Sequence, residues 1–544
     1  MVRIAWCAGV SADLLNLRAH YASFWREGLL DDQRQRALAA GVFAFFAQAA
    51  PAITFAGFLS ERTNGACGVA ETLLGMGLCG LLFAFAAGQP LVLVGTTGPV
   101  CLLIAALSDV AAARGLDFRG SLFVTCVWAA AFHAVLAAAG APRAFVRRVT
   151  PFSGEVFGAL VSLVYVVEGA SALASLARAP SGALSLGVGL GCAASSFVLT
   201  SARKWRVLPN SDAAALVRGV IADYGLAISV IAAAAVQFAP ALADARAALP
   251  LLPVPSRGYT PSESRPWVDA AAIASFPAWA AAAAAGPGAV LTALLYFDHQ
   301  ISAMLSQEPR FRLRKPPAYD LDFLLLGASL VLTAVLGLPP VYGLLPQAPL
   351  HVRALAKIAP PSPGQPTEDK WEGVCETRWS AALQSALLLV LLSTPLLRLL
   401  GALPQGVLAG MLIYLGVAGL AGSGIVRRAI ELASGRKQWI GAGGAASRRD
   451  AAALSFLQVA LVGLTFGITR SAASLAFPLA IVALVPLRTT LLPRLFGDAA
   501  ICALDPPDWG ASALGEADKE AGAAPGSEGS NEAASVRETA GEMS

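Results

Sequence analysis

Apolar runs long enough to cross a bilayer recur along almost the whole chain. A helix needs roughly 20 apolar residues to span about 30 Å of hydrocarbon. Such runs lie near 37–58, 66–87, 90–108, 121–141, 153–178, 182–200 and 214–240, and again near 277–305, 320–338, 343–358, 380–400, 403–420, 450–468 and 471–492. Of the 544 residues, 56% are hydrophobic and 14% charged, little over half the ~25% charge typical of soluble globular proteins. That is too little to cover a water-soluble fold of this size. The pattern predicts an all-α polytopic membrane protein with about 14 transmembrane segments, as two inverted 7-segment repeats. An odd number of spans per half sets the halves in opposite orientations.

The chain divides accordingly into a cytoplasmic N-terminal segment (1–36), a first membrane repeat (37–240), an extracellular loop (241–276), a second membrane repeat (277–505) and a disordered cytoplasmic tail (506–544). Cations support this order. Arg3, Arg18, Arg26, Arg34 and Arg36 precede the first span, and Arg143, Arg147 and Arg148 follow the fourth. Further clusters lie at Arg203, Lys204 and Arg206, at Arg310, Arg312, Arg314 and Lys315, and at Arg427, Arg428, Arg436 and Lys437. All fall inside if both termini are cytoplasmic, as the positive-inside rule asks. Residues 508–544 are rich in Gly, Ala, Ser and Glu, a composition that does not build a core. The N-terminus has no signal-peptide h-region, so insertion relies on the first span.

Eight cysteines form no CxxC pair, and most sit in apolar runs, where a free thiol packs as a small core residue. No disulfide framework, metal site or cofactor is expected. The sequence has no HExxH, P-loop or nucleophile elbow, so nothing points to an enzyme. Gly187–Gly191 superficially resembles a nucleotide loop, but without a preceding strand it reads as close helix packing. The net charge of +4 gives no reason to expect a nucleic-acid partner.

Two short segments at matching positions of the halves carry the chemistry. The third reads Gly88-Gln89-Pro90 through Gly95-Thr96-Thr97-Gly98-Pro99, and the tenth Gly337-Leu338-Pro339-Pro340 through Leu344-Leu345-Pro346-Gln347-Ala348-Pro349. Pro fits a helix's first turn but not its interior. Each segment therefore reads as an extended stretch leading into a half-helix that starts near Pro99 or Pro346. Such ends point free N–H groups and a positive dipole at a cavity, and two facing each other suit a small anion. The plainer alternative is that Gly and Pro only kink packed helices. Asp298, inside the eighth span, is the intramembrane carboxylate, a residue kind that is costly there and usually functional. It can bind a cation, carry a proton, or accept hydrogen bonds from substrate hydroxyls. His299 beside it reads as a hydrogen-bonding or packing residue. Gln48, Glu71, Glu155, Glu168, Asp223, Glu376 and Arg378 are the other polar groups in or at the edges of spans. Glu155 and Asp223 lie near basic edges and suit local ion pairs, and Glu168 could line a cavity.

These motifs resemble the bicarbonate-transporter-like anion transporters, and within them the plant and fungal borate exporters. The resemblance rests on Gly337–Pro340 with Leu345–His351, on Leu295-Tyr296-Phe297-Asp298-His299-Gln300-Ile301-Ser302 and on Leu313–Pro316. Shorter matches are Gly88–Leu91, Ile221–Gly225 and Leu491–Phe496, so that the likeness runs in order from about residue 34 to 505. It implies a core domain of segments 1–4 and 8–11, a gate domain of segments 5–7 and 12–14, and a homodimer through the gates. It also implies elevator-like motion of the core against the gate, and a substrate site at Thr96, Thr97, Gly98, Asp298, Leu344, Leu345, Pro346 and Gln347. Gln347 stands where the animal exchangers of that family carry Arg, whereas Gly95–Pro99 is closer to the animal form. Tetrahydroxyborate offers four hydroxyl donors to a carboxylate and an amide, while bicarbonate suits an Arg better. Arg353 is no substitute, lying six residues, about 9 Å, beyond Gln347. The expectation is a plasma-membrane exporter of a small inorganic anion, borate first. The alternatives are a bicarbonate/chloride exchanger on the same scaffold, and an anion-binding scaffold or sensor without transport.

Overall fold

The computed structural model describes residues 6–202, 205, 212–358, 371–434, 446–471 and 473–506; the tail expected after residue 506 lies outside them. The first half holds α1 (Ala8–Glu27), α2 (Asp31–Arg62), α3 (Val69–Ala86), strand β1 (Val94–Gly95), α4 (Gly98–Ala113), α5 (Phe118–Ala138), α6 (Ala141–Val146), α7 (Pro151–Leu176), α8 (Gly182–Thr200) and α9 (Asp212–Val236). Short helices α10 (Ala243–Ala247), α11 (Ala270–Ala274) and α12 (Ala278–Ala283) lead into the second half. There follow α13 (Ala285–Ser306), α14 (Tyr319–Leu336), strand β2 (Tyr342–Gly343), α15 (Gln347–Leu355), strands β3 (Ala356–Ile358) and β4 (Trp371–Val374), α16 (Trp379–Val390), α17 (Thr394–Leu400), α18 (Gln405–Gly422), α19 (Gly424–Ser434) and α20 (Arg448–Thr469). A broken helical run over 474–496 completes the apolar part.

Among the described residues, ten helices are long and apolar enough to cross a membrane, or up to twelve if each of two sharply bent helix pairs counts as one span. At 1.5 Å per residue, the 16 residues of α4 reach about 24 Å and the nine of α15 about 14 Å. Neither crosses 30 Å of hydrocarbon alone. These are the two Gly/Pro-interrupted segments. Helix α18 packs on α7 and α8, α8 on α9, and α20 on α7. On the other side α16 packs on α2 and α3, and α14 and α13 on α5. Glycines set the closest approaches. A Cβ on Gly410 or Gly406 of α18 would run into the backbone of Gly189 or Ser185 on α8, the small-residue packing that lets membrane helices touch.

The segment before the first span is not a loose arm. Helix α1 lies against α14 and α5, burying Val10, Asp13 and Phe24. Asp13 caps α14 from outside, accepting from the N–H groups of Asp320 (3.1 Å) and Leu321 (3.0 Å), and it pairs with Arg143 of α6. Two carboxylates, Asp13 and Asp320, share that arginine. Burial outweighs Arg143 and pushes the Asp13 carboxyl from 3.8 up to about 6. The folded protein therefore holds this proton more tightly than the unfolded chain. Its stabilising effect is complete below pH 3.8 and is lost as pH rises through about 6, on the order of 3 kcal/mol across the window. Wild type should thus lose thermal stability as pH rises from about 4 to about 6. Asp13→Asn, which keeps an acceptor for both N–H groups, should flatten that part of the slope in a melting series. An unchanged slope would remove Asp13 from the explanation.

The long loop over 241–276 is also held down. Ser262 donates from its N–H to Glu71 (2.8 Å), Leu252 donates to the Leu403 carbonyl (2.9 Å), and Arg265 lies 3.6 Å from Glu71. Glu71 at the same time accepts from the Gly68 N–H (2.9 Å), closing the first turn of α3. Glu155 pairs with Arg428 at 3.2 Å, the local ion pair its position suggested, whereas the Asp223 side chain lies outside the described residues.

Candidate functional site

The third and tenth segments meet as two extended strands. β1 and β2 pair antiparallel, Val94 opposite Gly343 and Gly95 opposite Tyr342, and Leu344 donates its N–H to the Leu93 carbonyl at 2.9 Å. Irregular backbone at membrane depth needs such partners, because lipid supplies none. Neighbouring helices complete the set. From α2, the Gln48 amide donates to the Val94 carbonyl at 2.8 Å, and its oxygen accepts from Gln384 of α16. From α13, His299 Nδ1 accepts the Gly343 N–H at 3.1 Å, and Ser302 donates to the Leu344 carbonyl at 2.9 Å. That bond makes Nδ1 the acceptor and leaves the proton of the neutral ring on Nε2. Gly343 must lack a side chain here, since a Cβ would lie 2.8 Å from that of Ser302.

From this crossing the chain turns into two helix heads. α4 starts at Gly98, with Thr97 before it, no side-chain cap and Pro99 in its first turn. α15 starts at Gln347 after Pro346, again uncapped. Neither N-cap residue caps its own head, so each positive dipole end is open to an acceptor from elsewhere. Asp298 stands beside them on α13, 4% exposed, within interaction range of the Tyr342 and Tyr165 hydroxyls. The Tyr342 hydroxyl in turn bonds Thr97 Oγ1, so Asp298, Tyr342 and Thr97 form one polar row at the head of α4.

Of the residues marked in the sequence, Thr96, Thr97, Gly98, Asp298 and Leu344 are buried together around this crossing. Thr96, 2% exposed, has no partner for its hydroxyl. Gln347 is half-buried, and its Oε1 is buried without a partner. Leu345 is half-buried and Pro346 exposed, so neither joins the buried row. Arg353 is exposed near the far end of α15. The sequence marked Gln48 and His299 as polar without assigning them to the crossing, and gave no site role to Tyr165, Tyr342 or Ser302. Among the described residues, no three His, Cys, Asp or Glu side chains are grouped to hold a metal ion.

A cleft of about 250 Å³ opens nearby, lined on one wall by Phe58, Arg62, Leu102 and Asp109 and on the other by Val164, Glu168, Arg470 and Phe477. Each wall carries its own ion pair, Arg62–Asp109 and Glu168–Arg470, both at 2.7 Å. Beneath it lies a space of about 10 Å³ touching Pro99 and Tyr165, room for roughly one water molecule.

The pattern of the HCO3- transporter integral membrane domain matches residues 5–181 and 183–508. The chain belongs to the HCO3- transporter family. It is 30% identical to boron transporter 1 of Saccharomyces cerevisiae over 87% of this chain and 80% of that one. A putative transporter of Schizosaccharomyces pombe is 31% identical, over 89% and 93%. Human anion exchange protein 3 is 29% identical over 92% of this chain but only 43% of its own length. In fold, the chain is similar to SLC26A9 (TM-score 0.55, 11% identity, covering 89% of this chain and 70% of that one). It is also similar to the transmembrane domain of a cyanobacterium bicarbonate transporter, BicA (TM-score 0.51, 14% identity, covering 79% and 96%). The protein is a multi-pass integral membrane anion transporter, and its relatives are transporters and exchangers rather than enzymes.

Proposed function

We propose that this family member exports borate, binding it between the heads of α4 and α15 with Asp298 alongside. The observation that carries the reading is the buried Gln347 Oε1, which has no partner in the protein. An orphaned acceptor calls for a donor, and tetrahydroxyborate brings four. Asp298 accepts two further hydroxyls, one on each carboxylate oxygen, Thr96 Oγ1 meets the fourth, and the two helix N-termini balance the charge. Leaving one such acceptor buried and unmet costs about 1–3 kcal/mol, so a hydroxyl-rich anion is selected over one that cannot donate to it. The yeast relative named as a boron transporter agrees with this chemistry.

The scaffold reading has about 14 segments in two inverted sets of seven. Helices α2–α5 and α13–α16 form a core, and α7–α9 with α18, α20 and the run over 474–496 form a gate. Two packing groups support it, α16 with α2 and α3 and α18 with α7 and α8, as does the cleft between Phe58 and Phe477. Transport is then an elevator-like movement of the core past the gate, in a plasma-membrane homodimer paired through the gates with both termini cytoplasmic. The runner-up is bicarbonate/chloride exchange, favoured by the likeness to anion exchange protein 3 over 92% of the chain.

The test is boron content in yeast that lacks its own borate exporter. Cells expressing the protein should hold several-fold less boron in high boric acid and grow where empty-vector cells stop. Normal surface expression without any fall in boron would reject borate.

A further inference from the structure

The head of α4 is not vacant. Tyr165, reaching across from α7, accepts the Gly98 N–H on its hydroxyl at 3.2 Å. Pro99 next to it has no N–H to offer, so the tyrosine holds the first donor of this helix end. The same hydroxyl lies within interaction range of Asp298. A phenol oxygen therefore occupies, at the Gly98 N–H, the place that an anion's oxygen would take on the α4 head.

The fit is built from several directions. Phe55 of α2 packs on the Tyr165 ring, centroids 5.4 Å apart. A Cβ on Gly98 would run into that ring, so glycine at this position lets the phenol sit on the helix end. The small space under the cleft is walled by Pro99, Leu102, Val164 and Tyr165, and the cleft above shares Leu102 and Val164. Tyr165 thus borders the space next to the cleft. Thr96 is an independent sign that a ligand belongs here, since the residue is 2% exposed and its buried hydroxyl has no partner, two residues before Gly98.

We propose that Tyr165 is a stand-in ligand: its hydroxyl caps the α4 head in the empty transporter, and the incoming anion displaces it from the Gly98 N–H. This rests on the anion site assigned above. Two consequences follow for the transport cycle. Tyr165 lowers substrate affinity, because each binding event must break the Gly98–Tyr165 bond. It also ties α4 to α7 while the site is empty, and the anion's arrival unties them. Tyr165 is a positioning residue rather than a permanent part of the bound-state site.

The experiment compares wild type and Tyr165→Phe, purified and reconstituted in liposomes, with borate and with bicarbonate as substrates. Phe keeps the ring on Phe55 and removes only the oxygen. One hydrogen bond relieved from competition should lower KM roughly three- to tenfold, with kcat no lower than wild type. In the anion-free variant the amide at Gly98 should exchange with deuterium faster than in wild type, and added borate should slow it. Tyr165→Leu, which removes ring and oxygen together, gives the same reading if the Phe variant is unstable. A KM that is unchanged or raised overturns the stand-in role while leaving the anion site intact, and a raised value would make Tyr165 a direct substrate contact. Wild type that carries neither anion would overturn the site itself, and the role of Tyr165 with it.

Discussion

Replacing Asp298 with alanine should cut borate transport by at least about 100-fold without unfolding the protein. The carboxylate lies at 4% exposure in the middle of α13, next to Tyr342, which itself bonds Thr97 at the α4 head. A hydrogen bond to a charged group contributes about 1.5–3 kcal/mol. Two hydroxyls of a bound borate donating to this carboxylate therefore account for roughly 10² to 10⁴ in affinity. In the empty protein the balance runs the other way. A buried carboxylate without a cation partner is a desolvation cost, and deleting it relieves that cost. The melting temperature of Asp298→Ala should therefore equal or exceed that of wild type while transport is gone. Loss of both transport and folded protein would instead make Asp298 an architectural residue. Initial boron-uptake rates and melting curves on the same purified samples separate the two.

The second large effect is on folding. Arg378→Leu should destabilise the protein by roughly 3–5 kcal/mol, seen as a lower melting temperature and poor recovery from detergent. This guanidinium is fully buried. It donates to the carbonyls of Ala84 (2.8 Å) and Ala87 (2.5 Å), at the end of α3, and lies 4.9 Å from the ring centroids of both Tyr21 and Phe24 on α1. Leucine fills much of the space but leaves two carbonyls of a helix C-terminus without donors, where a cation is worth most. The damage is local to the approach to the site. Just beyond Ala87, the N–H groups of Gly88 (2.6 Å) and Gln89 (3.2 Å) donate to Asp322 of α14, and this turn feeds the chain into β1. Arg378→Lys cannot fork between two carbonyls and should recover only part of the loss. A leucine variant as stable as wild type would show that water takes over the orphaned carbonyls.

The apolar runs were readable because bilayer thickness dictates their length, and helix is found within each of them. The two helix heads were readable for a different reason. Gly98-Pro99 and Pro346-Gln347 can start a helix and cannot continue one, and α4 and α15 begin at Gly98 and Gln347. Asp298 stood out because carboxylates are rare at that depth. What escaped the sequence are groups whose meaning depends on distant partners. Tyr165 in an apolar span looks like any core aromatic until Gly98, 67 positions away, is placed under its hydroxyl. Gln48 meets its strand 46 residues on and Gln384 336 residues on, separations no local pattern encodes. Residues 1–36 read only as a cytoplasmic N-terminal segment, because what anchors α1 on the end of α14 is a buried aspartate that no apolar stripe announces.

Borate selection at the paired helix heads is tested most directly by boron flux through the purified protein. Wild type reconstituted in liposomes should take up boron saturably, followed by elemental analysis, with Asp298→Ala at the level of empty vesicles. Borate should also compete with any bicarbonate flux. Folded wild type that moves no boron, with or without bicarbonate-dependent chloride exchange, would contradict the assignment.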